Sequence, residues 1–161
     1  MNLHVDIQSA STEPAPEEDD IRGWISAALR QAGTGIEAAE VCLRLVDEAE
    51  MAQLNHSYRG KTGPTNVLSF PADLPPELQL PLLGDIVICA PVVLREAREQ
   101  GKSARAHWAH MLVHGSLHLL GHDHVEAADA AVMEALETDI LGQLGFSCPY
   151  SDHLHEESLS Q

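Results

Sequence analysis

The stretch Ala104-Arg105-Ala106-His107-Trp108-Ala109-His110-Met111-Leu112-Val113-His114-Gly115-Ser116-Leu117-His118-Leu119-Leu120-Gly121 decides the reading of this chain. At 3.6 residues per turn, Trp108, Leu112 and Leu119 line one side of a helix, and Val113, Leu117 and Leu120 line another. A helix that is apolar over most of its circumference lies deep in a fold rather than on its surface. Gly121 suits the left-handed turn that stops such a helix. The spacing therefore predicts a central buried helix over 104–120, with the other elements arranged around it.

Leu3-His4-Val5-Asp6-Ile7 alternates apolar and polar residues and reads as a strand. Residues 9–17 are rich in Ser, Thr, Pro and Ala and read as a loop. Ile21, Trp24, Ile25, Ala28, Leu29 and Ala32 form one helical face behind a cap at Asp19 or Asp20. Val41 to Val46 reads as a second strand. Asp47 with Glu50 resembles a capping box for a short helix carrying Met51, Leu54 and Tyr58 on one side. A loop with Gly60, Gly63 and Pro64 leads to a short strand, Val67 to Phe70, stopped by Pro71. Residues 71–82 are proline-rich and irregular, and Asp85 to Cys89 reads as a buried strand. Pro91 opens the next helix and Gly101 ends it. After the central helix, residues 126–144 read as an amphipathic helix with Val132, Met133, Leu136, Ile140 and Leu144 inward. Interspersed strands and helices predict an α+β fold (α/β-like): one domain over 1–145, a small mixed sheet packed on helices, and a polar tail over 146–161.

At 161 residues, 44% hydrophobic and 21% charged, the chain has the composition of an ordinary globular domain. No apolar run approaches the roughly 20 residues that span a bilayer, so no membrane association is expected. The opening residues lack the basic and apolar segments of a secretory signal. Cys42, Cys89 and Cys148 are far apart and form no CxxC pair, so a thiolate metal site is not expected. These features place the chain in the cytoplasm. The formal charge of −16 opposes general nucleic-acid binding and gives no reason to expect DNA as a partner. Its distribution matters, however. Two acidic stretches, 12–20 and 134–157, hold 11 acids and no Lys or Arg; removing those 11 from −16 leaves −5. The stretch His56 to Phe70 holds Arg59 and Lys61 and no acid.

His114 and His118 are four residues apart, so both rings leave one helix face. Histidines on a buried helix need partners, because an unpaired buried polar group costs about 1–3 kcal/mol. A metal ion satisfies two at once. The turn at Gly121 can bring His124 back toward them, and three neutral imidazoles suit a tetrahedral Zn²⁺ with one position open to water or substrate. His122 competes with His124 as third ligand, and Asp123 is either a partner to a ligand imidazole or a helix cap. His107 and His110, on or near the same face, are read as packing residues in preference to supports for the ligands.

The spacing HxxxHxxGxxH is also that of the metzincin peptidases, which carry Glu after the first His as general base. Here that position is Gly115, which can neither take nor give a proton. The complete motif His114-Gly115-Ser116-Leu117-His118-Leu119-Leu120-Gly121-His122-Asp123-His124 resembles that of the YbeY family of bacterial rRNA-maturation endoribonucleases. Leu54-Asn55-His56-Ser57-Tyr58-Arg59, Pro64-Thr65-Asn66-Val67-Leu68-Ser69-Phe70-Pro71 and Leu83-Gly84-Asp85-Ile86-Val87-Ile88 are similar to segments of the same family, in order and spacing.

The resemblance implies a zinc-dependent, single-strand-specific endoribonuclease, a hydrolase that matures the 3′ end of small-subunit rRNA and acts in ribosome quality control. It implies one Zn²⁺ per chain on His114, His118 and His124, an Arg59 important for activity, and rRNA with the ribosome or ribosomal proteins as partners. The planar fork of Arg59 suits paired phosphate oxygens. The attacking group is left open between water and the 2′-OH. Lys61, Asn66 and Ser69 are weaker candidates for substrate contact, and Tyr58, continuing the Met51–Leu54 face, is expected in the core. Two other classes compete: a metzincin-like metallopeptidase, and a noncatalytic ribosome-assembly factor with structural zinc.

Overall fold

The structure, a computed structural model, describes residues 2–33, 35–75, 80–122, 126–147 and 149. In chain order the elements are β1 (Asn2–Ser9), α1 (Glu18–Ala32), β2 (Ala38–Val46), α2 (Glu48–Arg59), β3 (Val67–Pro71), β4 (Leu82–Cys89), α3 (Ala90–Glu99), α4 (Ala104–Leu119) and α5 (Ala127–Gln143). The strands form one mixed sheet in the order β1-β2-β4-β3. β1, β2 and β4 run parallel, and β3 is an antiparallel edge strand on β4. This is the expected α+β domain. No helix among the described residues is long and apolar enough to cross a membrane.

Strand alternation assigns each face of the sheet its helices. Val41, Leu43 and Leu45 of β2 and Ile86 and Ile88 of β4 enter the main core with Trp24, Ile25 and Leu29 of α1 and Trp108, Leu112 and Leu117 of α4. Val46, Leu68, Val87 and Cys89 point to the opposite face, where Met51 of α2 and Val92 of α3 cover them. Each fully buried Leu or Ile contributes roughly 1.5–3 kcal/mol, so a one-residue slip of β4 would reverse both faces at large cost.

α4 is the hub. It packs on β3, β4, α1, α3 and α5, as its apolar circumference requires. The Ser103 hydroxyl starts it by accepting from the Ala106 N–H at 3.1 Å, a cap worth about 1 kcal/mol. Gly121, at φ +97°, ends it.

Several local expectations are corrected by tertiary partners. Helix α1 is capped at Glu17 without a side-chain bond, and Asp19 and Asp20 lie in its first turn. Asp20 instead accepts from Arg105 of α4 at 2.5 Å, and that guanidinium lies 5.0 Å from the Trp24 ring centre. Asp47 occupies the cap position of α2, but no capping box forms. Its carboxylate accepts from the Ser11 hydroxyl at 2.5 Å, while Glu50 turns away to Arg44 at 2.6 Å. Tyr58 is not in the core: it is 67% exposed and meets Phe70 edge-on, with ring centres 4.9 Å apart. Val132 is exposed too, and α5 buries Met133, Glu137, Ile140 and Leu141.

Candidate active site

The first turn of the motif places His114 and His118 one above the other on α4. Their ring centres are 4.6 Å apart and their Nε2 atoms 3.1 Å apart. Two imidazole nitrogens on one tetrahedral zinc, each about 2.0–2.1 Å from the ion, stand roughly 3.3 Å apart. The pair therefore fits a common cation without rearrangement. His124, the third predicted ligand, and Asp123 lie outside the described residues. Among those described, no three His, Cys, Asp or Glu side chains gather as a metal-holding group.

Both rings open into a cleft of about 630 Å³ between α4, β3 and the loop that follows α2. Arg59, the last residue of α2, lines the same cleft, as do Lys61, Asn66 and Ser69. None of the lining residues is acidic. On a chain of net charge −16, this is a local basic surface beside two imidazoles. The loop is held by Asn55, buried in α2, whose side-chain amide donates to the Gly63 carbonyl at 2.8 Å.

The β3 wall is fixed by bonds that engage two of the candidate contact residues. The Asn66 amide donates to Glu96 at 3.1 Å, and its oxygen accepts from the Val67 N–H at 2.7 Å. The Ser69 hydroxyl donates to the Gly115 carbonyl at 3.1 Å. Asn66 and Ser69 thus build the cleft as well as line it.

Gly115 is a packing residue. A Cβ there would meet Ile86 Cγ2 at 3.0 Å and the Ser69 hydroxyl at 3.2 Å. A side chain at the position where metzincins carry their glutamate base would require Ile86 or Ser69 to give by a few tenths of an ångström.

His107 and His110 are buried against neighbouring elements as expected, and each ring is in addition bonded to a carboxylate. His107 Nε2 is 2.9 Å from Glu96 Oε1, which also holds Asn66. His110 Nε2 is 3.0 Å from Glu137 Oε2, and the other oxygen of Glu137 lies 2.5 Å from His114 Nδ1. Burial alone would raise the Glu137 carboxyl; the bonds from His110 and His114 outweigh it and hold the group well below the ordinary carboxylate range. Burial pushes His110 below the usual imidazole value, with Glu137 only partly offsetting it. For Glu96, bonds from His107 and Asn66 likewise overcome the upward pull of burial.

Glu137 is the site-adjacent residue that sequence reasoning missed. It was counted among the acids of the 134–157 stretch. The available signal was its spacing: Met133, Glu137 and Ile140 recur at helical intervals, which puts a carboxylate on the buried face of α5.

A model of the family described as "Endoribonuclease YbeY" matches residues 6–145. The chain belongs to the YbeY family. Endoribonuclease YbeY of Pseudomonas putida is 55% identical over 151 residues, covering 93% of this chain and 94% of the relative. The Pseudomonas syringae protein of that name is 52% identical over 165 residues, covering 99% and 98%. Among solved structures, a solution structure of a Thermotoga maritima protein shares the fold, with a TM-score of 0.56 at 23% identity over 87% of this chain and 91% of that one. The matched YbeY region contains the whole cleft and ends at Gly145, just past α5.

Proposed function

We propose that this chain is a metal-dependent endoribonuclease, with zinc as the ion, that cuts single-stranded RNA in maturing the 3′ end of small-subunit rRNA and in ribosome quality control. His114, His118 and His124 would hold the zinc, one ion per chain, and Arg59 would bind the phosphate. The carrying observation is that one acid-free cleft holds Arg59 together with the His114–His118 pair. Membership of a family described as endoribonuclease makes RNA the substrate and a phosphodiester the bond that is cut.

The residues divide the work as follows. A divalent ion held by the histidines would supply Lewis acidity to a phosphate bound in the cleft. Arg59 offers a planar pair of N–H donors to phosphate oxygens, and Lys61 adds a second positive charge on the same loop. The Asn55–Gly63 bond keeps that loop over the cleft. Gly115, standing where metzincins carry their glutamate base, weighs against a metallopeptidase.

A net charge of −16 is poorly suited to holding naked RNA by charge alone. We therefore place the protein in the cytoplasm, recruited by the assembled ribosome or a ribosomal protein. Metal analysis of the wild type beside His114→Ala and His124→Ala, with rRNA 3′ ends mapped in the same strains, tests the reading. Loss of metal together with unprocessed 3′ ends supports it. Normal 3′ ends in both variants would contradict it, as would the pattern of a structural ion, in which metal removal unfolds the protein and the wild type never cleaves RNA.

A further inference from the structure

We infer that Glu137 is a positioning residue for the metal ion, holding the His114 ring from behind while His110 locks Glu137 in place; this rests on the metal site proposed above. Glu137 reaches α4 from α5 and is 1% exposed. Its Oε1 is 2.5 Å from His114 Nδ1 and its Oε2 is 3.0 Å from His110 Nε2. The bond to Glu137 engages the His114 ring through Nδ1. It leaves Nε2 as the ring nitrogen turned away from Glu137. That is the nitrogen beside His118 Nε2, opening into the cleft.

Two consequences follow from this arrangement. The imidazole is offered to the cation through Nε2, with its ring held by a buried partner. Imidazole ligands would leave the full double charge of a divalent ion in place, and a carboxylate behind His114 would bring one compensating negative charge into the interior. Glu137 does not line the cleft and both its oxygens are engaged, so it acts through His114 and not on the substrate. His110, itself buried, satisfies the oxygen that faces away from His114.

The test uses the full chain, stripped of metal and titrated with Zn²⁺ against a competing chromophoric chelator. Glu137→Gln keeps the shape but removes the charge and one acceptor. It is expected to weaken Zn²⁺ binding by about 10–100-fold, and Glu137→Asp to recover part of that loss. Equal zinc affinity in wild type and Glu137→Gln overturns the positioning role while leaving the metal site standing. Absence of zinc uptake by the wild type overturns the metal site itself. A purely structural role would lower the melting temperature of the metal-free variant and leave the affinity of its folded fraction unchanged, which also overturns the inference. Should Glu137→Gln fail to fold, ¹⁵N-histidine spectra of the metal-free wild type decide the matter. His114 protonated on Nδ1 supports the inference, and His114 protonated only on Nε2 overturns it.

Discussion

The Ser69 hydroxyl donates to the Gly115 carbonyl across 3.1 Å, joining the edge strand β3 to the helix that carries His114 and His118. The approach is close enough that any Cβ on Gly115 would press on the fully buried Ile86 side chain, 3.0 Å away. Gly115→Ala should therefore destabilise the protein. Overpacking costs about 1–3 kcal/mol against a helix-propensity gain of about 1 kcal/mol, leaving a net loss of roughly 1 kcal/mol in urea unfolding. Gly115→Glu should lose considerably more and acquire no peptidase activity. A glutamate variant as stable as the wild type would show that the packing argument is wrong.

Arg59 shares the cleft with His114 and His118 but is exposed at the end of α2 and contributes nothing to the core. Arg59→Glu should leave folding and metal content intact. Loss of a charge-assisted hydrogen bond, about 1.5–3 kcal/mol, corresponds to a fall of roughly 10–100-fold in cleavage of a single-stranded RNA, and the reversed charge should deepen it. Arg59→Lys should fall between the two, because a point charge cannot make the paired contact. Cleavage kinetics on purified, metal-loaded variants give the comparison.

Asn55 is buried, and its amide holds the Gly63 carbonyl at 2.8 Å. Asn55→Ala should cost about 1–3 kcal/mol by leaving that carbonyl unmatched. Since Lys61 lies within the loop so anchored, KM for RNA should rise by a larger factor than kcat falls. A variant with unchanged KM would detach the loop from substrate binding.

Glu96 ties Asn66 in the cleft wall to His107 on α4, and these two bonds outweigh burial to hold its carboxyl below the usual value near 4.5. A depressed folded-state pKa means that the unfolded chain binds the proton more readily. The stabilisation is complete above about pH 4.5 and is lost as pH falls from there through the folded value. Glu96→Gln should accordingly be less stable than wild type at neutral pH, with the gap narrowing in acid. Denaturant midpoints measured across that range would show the trend, and a gap independent of pH would refute it.

Much of this protein is determined locally. The order and type of the described elements follow from apolar period, glycine and proline, although β2 and β4 each begin three residues before their apolar runs predict, and the depth of α4 follows from its apolar circumference. His114 and His118 meet because four residues make about one turn. Charge patterning pointed to Arg59, Lys61 and the acid-free stretch around them, and the tertiary structure places both cations in the cleft beside the histidines. Side-chain partners from distant segments were decided only by the fold. Asp47 and Glu50 have the spacing of a capping box, yet their carboxylates went to Ser11 and Arg44. Tyr58 continues the apolar face of α2 but overhangs its last turn, where Phe70 pairs with its ring. Glu137 is one more acid in an acidic stretch until α5 docks on α4. Docking removes water from its carboxylate, and two histidines waiting there, at positions 110 and 114, offset the penalty for burying a charge. Periodicity records which face of a helix is buried; it carries no record of which polar groups stand opposite, and that pairing is what tertiary packing supplies.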